Sequence, residues 1–324
     1  MPVPQNEHSK PDFIQLHFED QAAVCLELER GLLAQQAVTS PKYLYDGLGS
    51  RLFEAITELP EYYPTRVEAA IFAQFLPEIA AATGTGHTLI DLGAGNCEKA
   101  ARMFTALRPT KYVAVDISVE FLKQALTSLQ RQHPNLPMLG LGLDFSSRID
   151  LPSDVGEGSR LFFYPGSSIG NFTPADALPF LSQIHTACMG QGGLLIGVDL
   201  VKPSAVLQTA YDDALGVTAA FNRNMLLHIN QLLGSDFNIR QWQHRALFNT
   251  DLSRIEMHLD ALESVTVRWK RGERKFAKGE SIHTENSYKY TAASFTQLLQ
   301  NAGFQTVKPW QDANQQFCVF WAKA

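Results

Sequence analysis

The sequence predicts an α/β fold. A Rossmann-like parallel sheet is joined to a second, inserted α+β domain. Three observations carry this. Between residues 87 and 200, short apolar runs alternate with segments of helical period, the pattern of a parallel sheet covered on both faces. The first run, Leu89-Ile90-Asp91-Leu92, leads into Gly93-Ala94-Gly95, a turn that lets the backbone bend tightly beside a ligand. Past residue 201 the alternation stops, and a long helical stretch precedes several strands in succession.

Taken in order, 87–95 reads as the first strand and 98–108 as a helix. Tyr112 to Asp116 is a second strand, 119–131 a helix, and Pro137 to Phe145 a third strand ending Leu143-Asp144-Phe145. Arg160 to Ser168 is the fourth, 174–188 a helix, and Gly192 to Leu200 the fifth. Residues 203–233 read as helical throughout and 254–290 as antiparallel strands. A helix at 292–302 and strands at 304–310 and 316–322 close the chain. The expected domains are 70–200 plus 288–324 for the sheet, and 12–69 plus 201–287 for the insertion.

Composition narrows the function. Net charge is −6 and the basic residues form no block, which disfavours a nucleic-acid substrate. No apolar run approaches the roughly 18 residues that span a bilayer, and the polar segment Met1 to Pro11 has no secretory h-region. Cys25, Cys97, Cys188 and Cys318 show no paired spacing and read as reduced thiols of a cytoplasmic protein. The nine histidines, among them His87, His185, His228 and His258, are spread over separate elements, so no metal site is expected.

The Gly-rich turn is followed by Glu98, where a dinucleotide fingerprint has its third glycine. A carboxylate there would repel a pyrophosphate at the positive helix end. S-adenosylmethionine (SAM) carries a sulfonium cation and no phosphate, so an acidic first turn and Asp91 suit it better than NAD or FAD. Asp116, ending the second strand, can accept from ribose hydroxyls. Asp144 can accept from an adenine amine while Phe145 packs on the ring. All three positions lie where parallel sheets bind ligands, beyond the carboxyl ends of strands.

Four further stretches carry a resemblance: PKYLYDGLGSRLFEAITELPEYYPTR (Pro41 to Arg66), YPGSSIGNFTP (Tyr164 to Pro174), DLVKPSAVLQTAYDDALGVTAAFNRN (Asp199 to Asn224) and TENSYKY (Thr284 to Tyr290). Together they closely resemble the histidine-specific Nα-methyltransferases of ergothioneine biosynthesis, over about residues 12 to 322. The resemblance implies a SAM methyltransferase domain with a substrate domain, three successive methyl transfers to the α-amine of L-histidine, and hercynine as product. It implies that Asn171 and Tyr211 bind the substrate carboxylate, and that the Gly166 carbonyl and Ser168 lie near the amine. Tyr62, Glu285 and Ser287 would read the imidazole. Tyr45, Phe53, Thr218 and Met257 would line the pockets, Tyr45 also beside the cofactor. Asp91, Gly93, Gly95, Lys99, Asp116, Asp144 and Phe145 would serve SAM. A monomer with no nucleic-acid or membrane partner is expected.

The residues themselves support part of this. Glu285 and Ser287 are two apart, so a strand puts both on one face, where they can address one ring. A site built on hydrogen bonds rejects analogues lacking the partner far better than an apolar pocket does. The chain also departs from the family pattern. Cys97 replaces the third glycine of the commonest SAM motif, so no close backbone approach is required there. Ser168 stands where Thr is frequent, and Asn286 where a small apolar residue is usual. Two alternatives stay open: the same chemistry on another amino acid such as tryptophan, and a catalytically silent SAM-binding homologue.

Overall fold

The computed structural model describes residues 10–16, 20–146 and 148–324. In chain order its elements are β1 (Asp12–Gln15), α1 (Gln21–Leu33), β2 (Ala37–Val38), α2 (Gly47–Thr57), α3 (Tyr63–Thr83), β3 (Thr88–Leu92), α4 (Glu98–Ala101), α5 (Phe104–Leu107), β4 (Lys111–Asp116), α6 (Val119–Gln132), β5 (Met138–Gly142), β6 (Arg160–Tyr164), α7 (Pro174–Ala187) and β7 (Gly192–Asp199). Then follow α8 (Ser204–Tyr211), α9 (Val217–Leu233), β8 (Trp242–Asn249), β9 (Arg254–Ala261), β10 (Val265–Trp269), β11 (Gly272–Phe276), β12 (Ser281–Tyr288), α10 (Ala292–Asn301), β13 (Thr306–Gln311) and β14 (Phe317–Lys323). The described residues divide into two compact units, 10–16, 64–201 and 290–324 in the first and 20–63 and 202–289 in the second.

The first unit holds an eight-stranded sheet in the order β1-β5-β4-β3-β6-β7-β14-β13. Pairing is parallel from β1 through β7, and β14 then runs antiparallel to β7 and to β13. From β3 the chain winds outward to β4 and β5 and then returns to β6 on β3's other side, so the strand order reverses at β3. Alternation along the strands fills both faces. Ile90, Leu92, Val113, Phe162 and Ile196 pack with α7 and α10 residues such as Phe180 and Phe295. Leu89, Tyr112, Phe163 and Leu195 pack on the other side with residues of α3 and α6. The helix starts are well capped. The Thr173 hydroxyl accepts from the Asp176 N–H with Pro174 in the first turn, and Thr291 and Ser294 form a reciprocal capping box.

The second unit holds a four-stranded sheet, β2-β12-β9-β8, and a separate β10-β11 hairpin. Asp46 caps α2 by accepting from the Gly49 N–H at 2.6 Å and also accepts from the Asn224 amide at 2.7 Å. One face of β9 carries Arg254, Glu256 and Asp260. Glu256 Oε1 takes the Arg254 guanidinium at 2.6 Å and Asn249 at 3.0 Å, while Oε2 takes His258 Nε2 at 3.0 Å.

Several expectations are corrected. Residues 12–16 do not join the insertion: β1 lies parallel to β5, at the sheet edge, and residues 64–69 belong with the first unit through α3. The stretch 203–233 is two helices, because Gly216 takes a left-handed φ of 76° and the Asp213 carboxylate accepts from the Val217 and Thr218 N–H groups that open α9. The helix at 98–108 is likewise split, into α4 and α5. The third strand stops at Gly142, so Asp144 and Phe145 stand in the turn beyond it. Strand β8 was not anticipated. Its mixed run WQHRALFN lacks clean alternation, and it is fixed by eight paired residues on β9.

Burial pushes the Glu256 carboxyl up, but hydrogen bonds from Arg254, His258 and Asn249 outweigh it and bring its pKa to about 2. A depressed carboxylate stabilises the fold above its unfolded pKa, and that contribution is lost as pH falls toward the folded value. The stability difference between the native chain and Glu256→Gln should therefore be on the order of 2 kcal/mol at neutral pH and shrink from about pH 4.5 toward pH 2. Urea unfolding across that range checks it, and a pH-independent difference would contradict the ion-pair account.

Candidate active site

In the first unit the turn after β3 is bolted to the end of β4. The Gly93 and Ala94 N–H groups both donate to the Val115 carbonyl, at 2.9 and 3.1 Å, and Gly95 N–H donates to Asp116 Oδ2 at 2.9 Å. Gly93 and Gly95 have left-handed φ of 70° and 53°, and a Cβ on Gly95 would meet nothing within 4 Å. Cys97 also takes a left-handed φ, 64°, although it is not glycine. Its side chain is fully buried in the core beneath α4, which offsets the strain of that conformation. Glu98 is exposed and lies 3.6 Å from Arg102.

Asp116 takes the Gly95 N–H on one oxygen and the Ser118 N–H, at 2.8 Å, on the other. A carboxylate oxygen has two acceptor positions, so each oxygen keeps one for a further donor. Asp91 is deeper. Its Oδ2 accepts from the Tyr112 hydroxyl at 2.7 Å, while Oδ1 is buried without a hydrogen-bond partner. Burial raises the Asp91 pKa to about 7, against the lowering effects of Tyr112 and the Lys99 ammonium. Phe145 stands against Gly93, whose added Cβ would lie 3.7 Å from Phe145 Cζ, and packs edge-on to Tyr164. Asp144 Oδ1 accepts from the Ser146 N–H at 3.1 Å.

Beyond β6, Gly166 and Ser167 both have left-handed φ, 77° and 63°, and Ser167 Oγ accepts from the Asp199 N–H at 2.9 Å. Ser168 and Asn171 bound the single 3-10 turn that follows. A Cβ on Gly166 would meet Lys99 Nζ at 3.1 Å, so the Gly166 and Lys99 positions are adjacent. Open glycine backbone, an acceptor pair on Asp116 and an aromatic edge at Phe145 fit the glycine turn, ribose and adenine contacts of SAM, with no phosphate-binding cluster of cations among these residues.

In the second unit, Glu285 and Ser287 sit on β12, opposite Met257 and Ile255 of β9, and all four are buried. The register slips between His283 and Glu285. Without that bulge, simple alternation would place His283 on the face of Glu285. With it, His283 pairs with His258 and faces the Glu256 side instead. Thr284 locks the bulge, its hydroxyl donating to the Met257 carbonyl at 3.0 Å. The result also corrects the expectation for the histidines. Glu256, His258 and His283 bring ligand-capable atoms within 4.8 Å of one another, an outcome of strand register that sequence spacing cannot show. Arg254 already provides the cation there.

Ser287 Oγ accepts from the Tyr211 hydroxyl and from Lys289 Nζ, each at 2.8 Å, and Lys289 also donates to the Tyr211 oxygen at 3.2 Å. Lysine has only donors, so both hydroxyl oxygens turn a lone pair toward it. Tyr211 receives from Lys289 and gives to Ser287, and Ser287, with both lone pairs engaged, is left as a donor. Tyr211 itself ends α8, where His244 Nε2 lies 2.8 Å from its carbonyl, the other ring nitrogen being held by Asn222 at 2.9 Å. Tyr45, Phe53 and Tyr62 form an edge-to-face chain with Phe221, and Tyr62 reaches Tyr211 at a centroid separation of 6.1 Å. Thr218 is buried in the first turn of α9.

Three contributors were missed by sequence reading. Lys289 continues the alternation 285, 287, 289, a signal that was present. Phe221 is a helix-face aromatic like many others. Glu68, on α3, carries no local motif at all, yet it accepts from both Lys99 and the Gly166 N–H. Among the described residues no helix is long and apolar enough to cross a membrane.

Residues 24–324 match the family described as "Histidine-specific methyltransferase, SAM-dependent". The chain is 38% identical over 301 residues to the histidine N-alpha-methyltransferase of Mycolicibacterium smegmatis, spanning 90% of this chain and 93% of that one. It is 38% identical over 279 residues to the protein of the same name from Mycobacterium tuberculosis, spanning 84% and 86%. It is 29% identical to ergothioneine biosynthesis protein 1 of Neurospora crassa, over 84% of this chain and 32% of that longer protein. With the Gly-rich turn and Asp116 at the strand-order reversal of the sheet, the chain belongs to the SAM-dependent, histidine-specific methyltransferase family.

Proposed function

We propose that the protein transfers methyl groups from SAM to the α-amine of L-histidine, three in succession, giving hercynine, the first step of ergothioneine biosynthesis. The first unit holds the methyl donor, and the second recognises the amino acid. The observation that carries the substrate reading is the Glu285–Ser287 pair. Glu285 is an acceptor and Ser287 is polarised as a donor by Lys289 and Tyr211. A neutral imidazole offers one N–H and one bare nitrogen, the complement of that pair.

When bound, SAM supplies an electrophilic methyl group on a sulfonium sulfur. The chain's own residues bind, orient and exclude water, which is most of what an in-line displacement needs. Gly93, Gly95, Asp91, Asp116, Asp144, Phe145 and Lys99 hold the donor. Asn171 and Tyr211 take the substrate carboxylate, Tyr211 by turning its one hydroxyl hydrogen from Ser287 to the ligand while Lys289 still donates to both hydroxyls, and the Gly166 carbonyl with Ser168 accepts and orients the amine. The amine must be neutral to attack, and a carbonyl acceptor holds it without demanding a charge. Tyr45, Phe53 and Tyr62 accommodate a growing quaternary ammonium by cation–π attraction, while Thr218 and Met257 shape the pocket. The relatives named for histidine Nα-methylation and ergothioneine biosynthesis support this reading. A cytoplasmic monomer acting on a free amino acid goes with it.

Two substitutions test the division of labour. Glu285→Gln removes a charge-assisted hydrogen bond worth about 1.5–3 kcal/mol, so kcat/KM for histidine should fall roughly 10- to 100-fold while SAM affinity is unchanged. Asp116→Ala should do the reverse, weakening SAM binding by a similar factor with little effect on KM for histidine at saturating cofactor. Steady-state kinetics by mass spectrometry and calorimetry of SAM binding read both. Equal losses in both parameters for either variant would remove the assigned roles, and methylation of another amino acid in place of histidine would overturn the imidazole reading.

A further inference from the structure

Glu68 stands outside every motif of the sequence, and its side chain is only 2% exposed. Its Oε2 accepts from Lys99 Nζ at 2.8 Å and its Oε1 from the Gly166 N–H at 2.7 Å. Gly197 on β7 makes the space. A Cβ there would lie 2.1 Å from Oε1. One carboxylate thus ties α3 to the helix after the glycine turn and to the loop after β6.

The charges make this more than a structural tie. The Lys99 ammonium is close enough to Asp91 to lower its pKa and sits against Gly166. A lone ammonium there would repel a sulfonium cation in the same unit. A buried carboxylate paired to it at 2.8 Å offsets that field, and although the ammonium is 36% exposed, the carboxylate that balances it is not screened from the site by solvent.

We propose that Glu68 is a positioning and charge-balancing residue of the methyl-donor site. It keeps Lys99 as a net-neutral ion pair, so that the site accepts a cationic cofactor, and it pins the Pro165–Gly166 peptide. This rests on the reading of the first unit as the SAM site and not on the identity of the amine. A purely structural acceptor would not need the charge, since glutamine could still receive the Gly166 N–H.

The test compares SAM with S-adenosylhomocysteine, which has the same groups but a neutral sulfur. Calorimetry gives the ratio of their affinities in the native chain, Glu68→Gln, Lys99→Met and the double variant, with thermal melting of each ligand-free protein as the folding check. Glu68→Gln should shift the ratio against SAM by about tenfold. Lys99→Met should shift it toward SAM, because Glu68 is then uncompensated. The double variant should return it to within about threefold of the native value. Any contact of Lys99 with a group shared by both ligands cancels in the ratio. Equal weakening of both ligands by Glu68→Gln, or a double variant that stays with the Glu68→Gln ratio, would overturn the proposal. If Glu68→Gln does not fold, Lys99→Met decides: a ratio that stays or falls overturns it. Histidine turnover by the native enzyme is read separately. Its absence beside the expected ratios would sink the substrate reading and leave the role of Glu68 standing.

Discussion

The first unit depends on one constraint: the chain must leave the buried strand β3 and reverse direction in five residues, without stranding polar backbone. It does so by handing its N–H groups to the neighbouring strand. Gly93 and Ala94 donate to the Val115 carbonyl, and Gly95 to the Asp116 carboxylate. The turn and the end of β4 are therefore one object. Asp116 is aimed by the glycine turn that it caps, and the turn is held open by the residue that would take the ribose. Left-handed conformations at Gly93, Gly95 and Cys97 follow from this geometry. Only at Cys97 does a side chain accept that conformation, because its thiol is packed in the core. Burial also pushes that thiol's pKa well up, so it is a packing group and not a nucleophile.

The second unit uses a different device, a bulge. A regular strand from His283 to Ser287 would send His283, Glu285 and Ser287 to one face. The extra residue Thr284 separates them. The histidine then joins the ion-pair face with Glu256 and His258, and Glu285 and Ser287 are left beside Met257. Segregating charge in this way matters. Glu256 and Arg254 satisfy each other on one face, and Glu285 stands on the other, opposite Met257. A single hydroxyl donating to a carbonyl, Thr284 to Met257, holds the arrangement.

Much of this was legible in the sequence, and the reasons differ by element. The parallel sheet was visible because strands buried on both faces are written as short apolar runs of the LIDL and LFFY kind. The Gly-x-Gly turn and Asp116 were visible because glycine and strand-end carboxylates have narrow physical uses. The break at 212–216 was not, because Asp and Gly also occur inside helices, and the stop shows only in the left-handed Gly216 and in the Asp213 carboxylate that accepts from the first N–H groups of α9. Strand β8 was hidden because only its first three residues alternate between buried and exposed, and the five that follow are all half-buried. Glu68 was hidden for a deeper reason. It lies 31 residues from Lys99 and 98 from Gly166, and a long-range buried ion pair leaves no periodicity in the chain. The same is true of the His258–His283 stack, which exists only through strand register.

The last step concerns selectivity, and it turns on which way a hydroxyl points. Serine is ambivalent and alone could serve a donor or an acceptor on a substrate ring. Lys289 removes that freedom. It can only donate, so Ser287 and Tyr211 each turn a lone pair toward it, and the Ser287 hydrogen points away from the ammonium. Beside it Glu285 can only accept. A ring read by this pair would have to present one N–H to Glu285 and one unprotonated nitrogen to Ser287. Imidazole does. An indole has the N–H but no acceptor, and would leave the Ser287 hydrogen desolvated and unmatched at a cost of about 1–3 kcal/mol. A protonated imidazole has two donors and would meet the Ser287 hydrogen head-on. In the proposed reading, discrimination would come from the polarity that a buried lysine gives its neighbours, two positions along the strand from the hydroxyl it contacts.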